Sequence, residues 1–370
     1  MAKLSLTSAL KRKEWITENL EKKAPESHFA SLMGSTADSV VHVSKNSSAK
    51  AGHTVVFNAK GALSNKPIFG DDQSTGKGET KRKYSSSLTV DRYRLIVKNE
   101  TEYDAVDAGD LSSAVHSDSI DALSRQYMAF KDQTIFDTLQ GNLGTVSTHE
   151  MDLSATLDYN ALLTLETAVK TGRGFSTGAD RMPLKPFRLK GGRAVWLFMA
   201  DADMAKKLKQ SDNFQDVAAN ADVRGESNML INGVIGTIGN LMIVEVPNYF
   251  GETDSGASWA IKNVGVEYAG LRQYETTNSK WSGQTGFDST PAGNLLSYGL
   301  ILGANAVQLG MGKMPEYKFN EEILEGTSES QLETWMGVQK TNYTLETGSV
   351  RKAKQTALDY GIIRVKLKVN

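Results

Sequence analysis

Leu111–Gln140 reads LSSAVHSDSIDALSRQYMAFKDQTIFDTLQ, thirty residues with neither Pro nor Gly inside. Asp110 stands where an N-cap belongs and Gly141 where a left-handed C-terminal residue belongs, so the spacing predicts one long helix. At about 1.5 Å per residue it would reach roughly 45 Å. Its apolar residues form no single stripe. Ile120, Leu123, Tyr127 and Phe130 share one side, Met128, Ile135 and Leu139 another, with Ala122, Ala129 and Phe136 behind both. Such a helix leans on different neighbours along its length and acts as a spine. Taken alone, the segment fits an ordinary long helix of a large α+β enzyme better.

Outward from the helix, the totals allow two or three domains in 370 residues. Lys+Arg 42 against Asp+Glu 43 leaves a net charge of -1, which demands no nucleic-acid partner. The absence of Cys removes disulfides, thiolate zinc sites and thiol nucleophiles together. The start, MAKLSLTSALKRKEW, lacks the apolar core of a signal peptide. No run approaches the ~18–20 apolar residues of a membrane span. The expectation is a soluble chain made in a cytoplasm, with no membrane partner.

Ahead of the helix lie two segments poor in apolar side chains. Residues 1–23 form a short amphipathic helix pattern, with Leu10, Trp15, Ile16 and Leu20 against a mixed charged face. Polar, small residues then run to Lys50, relieved by Phe29, Leu32, Met33 and Val40–Val43, which reads as an arm lying on something else. His53–Lys60 and Lys81–Val90 read as strands around a Gly-rich stretch, GALSNKPIFGDDQSTGKGET. Two strands with so long a tip predict a projecting β-ribbon, marginal by itself in water. Arg92–Val97 returns the chain to the body.

Behind the helix, Tyr159–Thr171 is a second helix capped by Asp158 and Gly172, buried through Leu162, Leu165 and Val169. Ala194–Met199 is a continuous apolar run, read as a central strand. A short helix around Ala202–Leu208 and strands at Leu241–Val246 and Ser258–Tyr268 follow. Leu300–Leu309 reads as a strand running into a helix. Gly337–Tyr343 and Gly361–Val369 are late strands. The last alternates Ile363, Val365, Leu367 and Val369 with Arg364, Lys366 and Lys368, and is expected to pair with the first body strands.

Catalytic, cofactor and metal sites are all expected to be absent. Gly70–Gly78 resembles a phosphate loop, but its spacing is wrong and Gly78 stands where Ser or Thr should hold magnesium. Gly233, Gly236 and Gly239 lack dinucleotide spacing and mark turns or bulges. His28, His42, His53, His116 and His149 stand alone, none at metal-ligand spacing from another.

The order of arm, ribbon, long helix, middle domain and returning strand resembles the major capsid proteins of tailed phages, with the Hong Kong 97-like fold. Within them it is similar to the coat proteins of N4-type podophages, through Gly52–Phe57, Gly70-Asp71, Gly78-Glu79, Leu88–Asp91, Leu139–Gly141, Trp196–Met199, Leu300–Ala304, Gly337–Thr341 and Asp359–Ile363. Glu100–Asp110 and Glu346–Ala357 depart from that pattern.

The resemblance implies an α+β chain with an N-terminal arm over residues 1–49 and an extended loop over 50–91. It also implies a peripheral domain from 92–150 and 313–370 and an axial domain over 151–312. It implies a non-enzymatic coat protein in the virion, forming hexamers and pentamers of an icosahedral head around double-stranded DNA without sequence-specific binding. Portal and scaffold proteins, and a decoration protein, are the further partners implied. The alternatives are an encapsulin-like compartment shell of the same fold, or an α/β enzyme with a flexible lid.

Overall fold

The computed structural model describes residues 27–45, 52–60, most of 63–81, 83–98, 112–141, 150–173 except 155, 183–211 except 190–191, 234–249, 269–282, 284, 287, 295–321, 328–345 except 343, and 359–369. The first-helix pattern, the strand expected at Ser258–Tyr268, His149 and both departing stretches, Glu100–Asp110 and Glu346–Ala357, lie outside these residues. In chain order come strands β1 (Met33–Gly34), β2 (Val41–Lys45), β3 (Thr54–Lys60), β4 (Lys83–Thr89) and β5 (Asp91–Lys98), then helix α1 (Ser112–Gln140). Next are β6 (Glu150–Asp152), α2 (Tyr159–Thr171), β7 (Phe187–Arg188), β8 (Ala194–Ala200) and α3 (Ala202–Lys209). β9 (Val234–Ile238), β10 (Leu241–Glu245), β11 (Tyr274–Glu275), β12 (Lys280–Trp281) and β13 (Leu295–Leu302) follow. β14 (Val307–Glu321), β15 (Ser328–Lys340), β16 (Thr344–Leu345) and β17 (Ile362–Val369) complete the chain.

The spine helix is present as expected, and Gly141 closes it at φ 69° with its N–H on the Asp137 carbonyl. Its changing apolar face meets two cores. Ile120, Leu123 and Tyr127 bury against Leu332, joined by Met128. Ile135, Phe136 and Leu139 belong to a larger core with Phe29, Leu197, Leu302 and Val307. Met128 thus sides with the N-terminal group, not with Ile135 and Leu139.

The helix lies over a five-stranded sheet ordered β1-β2-β14-β15-β5. Here two expectations are corrected. Residues 27–45 pack on the chain's own body: β2 pairs in parallel with β14, Val41 opposite Val307. Phe29 is fully buried, 4.8 Å from the Phe136 ring. Phe29, Leu32, Val40 and Val41 are buried in the core shared with α1 and β14, and Met33 and Val43 pack against it. Secondly, no helix follows Leu300. The chain turns at Gly303–Ala306, with Asn305 left-handed at φ 56°, and continues as β14. A continuous apolar run does not separate buried strand from buried helix by periodicity.

A second, nine-stranded sheet centres on β8, which pairs in parallel with β10 and antiparallel with β13. α2 follows the expected bounds, its Asp158 cap accepting from Ala161 N at 2.8 Å and Gly172 left-handed. Asp201 caps α3 through Met204 N, while its other oxygen accepts from Ser297 Oγ at 2.5 Å and Gln273 Nε2 at 3.0 Å. β17 alternates as read, yet it pairs with β13 and β6 in this sheet and not with the first body strands. Its five buried residues, Ile362 on one face and Ile363, Val365, Leu367 and Val369 on the other, match a sheet apolar on both faces, whereas β3 and β4 offer too few apolar neighbours.

Candidate assembly surfaces

The ribbon forms from β3 and β4 as expected, with Val55 opposite Leu88 and Phe57 opposite Ser86. It is not an isolated pair: β16 adds a short third strand through Thr344 and Leu345. Val55, Phe57, Leu88 and Val90 face inward and pack with Trp335. Phe57 also meets the His42 ring edge-on at 4.9 Å. Where the ribbon crosses the body sheet, Gly310 and Gly337 stand opposite each other. A Cβ on Gly337 would sit 2.2 Å from the Thr89 carbonyl oxygen, and one on Gly310 2.8 Å from Leu88. Only a sheet bare of side chains at this pair admits the ribbon so closely.

Beyond that base the ribbon runs out into Gly-rich chain. Gly70 and Gly76 are left-handed at φ 64° and 83°. The phosphate-loop resemblance thus falls in a connection between strands, with no helix following to hold an anion. Around it Leu63 is 63% exposed, Ile68 41% and Phe69 81%. All three lie on the connection between β3 and β4.

On the helix side of the body sheet lies a groove of about 730 Å³. Met33, Val43, Met128, Met311, Met314 and Leu332 supply most of its wall. One cation enters it. Lys131 is only 9% exposed, with Met128 Sδ at 3.6 Å and the Tyr127 ring centroid at 5.9 Å, and no ion pair among the described residues. Burial pushes its ammonium pKa down, opposed by nearby Asp132. No spacing in the sequence joins residues from 33 to 332, so this groove was not legible there.

A third cluster stiffens the molecule. The Arg272 guanidinium spans both Asp137 carboxylate oxygens at 2.7 and 3.0 Å. Gln140 accepts from Arg272 N and donates to the Arg272 and Tyr298 carbonyls. Gln133 accepts from Gly270 N. One polar face of α1 therefore grips residues 270–272 of the second sheet's connections. Lys340 and Asp359 pair inside the protein at 3.7 Å.

Of the other residues weighed from sequence, Gly239 turns the β9–β10 hairpin at φ 56° and Gly236 sits at its irregular register. His28 packs edge-on to Phe136 and His53 lies just before β3. His116 lies on α1, and Gly233 is outside the described residues. Among the described residues no three His, Asp or Glu gather as a metal site.

Residues 3–183 match the family model described as phage capsid protein. The fold matches the capsid of Helicobacter pylori bacteriophage KHP30 at a TM-score of 0.71 and 16% identity, over 92% of this chain and 90% of that one. Ralstonia phage GP4 capsid matches at 0.65 and 16%, over 93% and 92%. The Cyanophage Pam1 capsid asymmetric unit matches at 0.60 and 16%, over 100% and 99%. The chain has the fold of these phage capsids, the Hong Kong 97-like fold. No curated protein matches it.

Proposed function

We propose that this chain is the major capsid protein of a tailed phage, that it assembles into hexamers and pentamers of an icosahedral head enclosing double-stranded DNA, and that it carries out no catalysis. One observation carries the reading: a ribbon that packs on the body through Val55, Phe57, Leu88 and Val90 leads into exposed Leu63, Ile68 and Phe69. Cover for such a tip comes from neighbouring subunits, in obligate interfaces of about 2,000–5,000 Å². The near-zero net charge suits a wall that surrounds DNA without gripping its sequence. Portal and scaffold proteins, and a decoration protein, are the further partners in this reading, and the host cytoplasm is the place of synthesis.

In this scheme residues 1–49 are the arm, but its reach to a neighbour starts ahead of Ser27, since 27–45 pair within the chain. Residues 50–91 are the extended loop, 92–150 and 313–370 the peripheral domain and 151–312 the axial domain, to which β17 contributes a strand. The residues quoted for the N4-type group support placing the protein there. Deleting Ala62–Thr80 tests the scheme: the body should keep its circular dichroism while shells disappear from electron micrographs. Normal shells from that deletion would remove the ribbon's role.

A further inference from the structure

We propose that the groove between α1 and the body sheet binds a single-chain aliphatic carboxylate, its tail among the methionines and its head on Lys131. The proposal goes beyond the coat-protein reading and stands or falls separately from it.

The groove lies where two packed stretches of α1 leave a gap. Toward the N-terminus Ile120 and Leu123 bury with Leu332, and toward the C-terminus Ile135, Phe136 and Leu139 bury with Val41 and Val307. Between them Ser124, Tyr127, Met128 and Lys131 recur at three- and four-residue spacing, so one stripe of the helix lines the groove. Gly310 faces Leu88 of the ribbon, which turns Leu309 and Met311 to the opposite, helix-facing side. In register with them, Val43 stands beside Leu309 and Lys45 beside Met311. The floor is therefore apolar, with exposed Lys45 at its rim. A volume of about 730 Å³ falls within the ~300–1,000 Å³ of small-molecule pockets. Met33, Met128, Met311 and Met314 all line it, and their unbranched thioethers adapt to a flexible chain.

Charge selects the head group. Lys131 is nine-tenths buried, its ammonium 3.6 Å from Met128 Sδ and 5.9 Å from the Tyr127 ring centroid. Neither neighbour is an anion, because burial pushes the Tyr127 phenol up to about 12 and keeps it neutral. Asp132 is next in sequence but lies about 100° round the helix. There it accepts from Ser27 Oγ at 2.6 Å and from His28 N at 2.7 Å. A buried ammonium with no carboxylate at ion-pair distance among the described residues is costly. One carboxylate in the groove matches its single charge, whereas a cationic or neutral amphiphile leaves it unmet. Residues 1–26, which join the body at Ser27 beside Asp132, are the rival occupant. They carry six Lys or Arg against four Glu, a poor match for two lysines.

Isothermal titration of the whole, unassembled chain with dodecanoate, kept below its micellar concentration, tests the site. The expected result is one dodecanoate per chain. Dodecyltrimethylammonium, with the same tail, and acetate, with none, should each bind about tenfold more weakly or worse. Lys131→Met should lower dodecanoate affinity by a similar factor yet raise the melting temperature of the ligand-free chain, since an unpaired buried charge is removed. Loss of binding together with a gain in stability separates a lost head-group contact from a damaged fold. Absence of binding, equal affinity for the two opposite head groups, or unchanged affinity in Lys131→Met would each overturn the proposal. Binding seen only after removal of residues 1–26 would give the groove to that segment and overturn it as well. None of these results touches shell formation, which electron micrographs of the same chain read independently.

Discussion

Glu333 shows how much a single buried carboxylate decides. Its side chain is 2% exposed and meets Lys318 Nζ at 2.5 Å, Arg92 at 2.9 Å and Lys313 at 3.6 Å. The Lys318 and Arg92 hydrogen bonds hold its pKa down to about 2, from an ordinary 4.5. A depressed carboxylate stabilises the native state above its unfolded pKa and loses that contribution as pH falls toward the folded value. The urea midpoint of the native protein should therefore drop between about pH 5 and about pH 2. In Glu333→Gln that part of the slope should vanish, which urea titrations at a series of pH values would read. None of these partners is near in sequence: Arg92 is on β5 and Lys318 on β14, so the cluster exists only once the strands pair.

At the scale of elements, α1 joins the two sheets. Its apolar residues were legible as a shifting pattern because helical geometry converts spacing into direction. Its polar face was not, since Gln133, Asp137 and Gln140 look like ordinary solvent-facing residues until residues 270–272 arrive beneath them. Arg272→Ala removes the paired Asp137 bonds and the bond to the Ser282 carbonyl. It should destabilise the protein by about 2–3 kcal/mol. Combining it with Asp137→Ala should cost less than the two single losses added, which a double-mutant cycle in denaturant would measure. The ribbon teaches the converse. Its alternation was readable, but its anchoring depends on Gly310 and Gly337, two glycines that mean nothing until they face each other under Leu88 and Thr89.

Over the whole molecule, the order of pairing departs furthest from the order of the chain. β17 closes the second sheet beside β13 and β6, so the last residues complete a core begun near residue 150. Ile362, Ile363, Val365, Leu367 and Val369 are all buried there. At about 1.5–3 kcal/mol for each such side chain, their sum rivals a domain's entire margin of about 5–15 kcal/mol. Removing residues 361–370 should leave a chain that aggregates and lacks a cooperative thermal transition by circular dichroism. A truncated chain melting like the intact one would show that the second sheet holds without its closing strand.

By itself the sequence determined the elements whose cause is local: α1 and its Gly141 stop, α2 between Asp158 and Gly172, the buried run of β8 and the ribbon with its Gly-rich tip. Caps, turn residues and periodicity act within a few residues, so they can be read along the chain. The tertiary structure alone decided where β2 and β17 pair, that β14 is a strand, and that the Met-lined groove exists. Those outcomes depend on which apolar surfaces remain uncovered after every other element is placed, a property that no stretch of sequence carries alone.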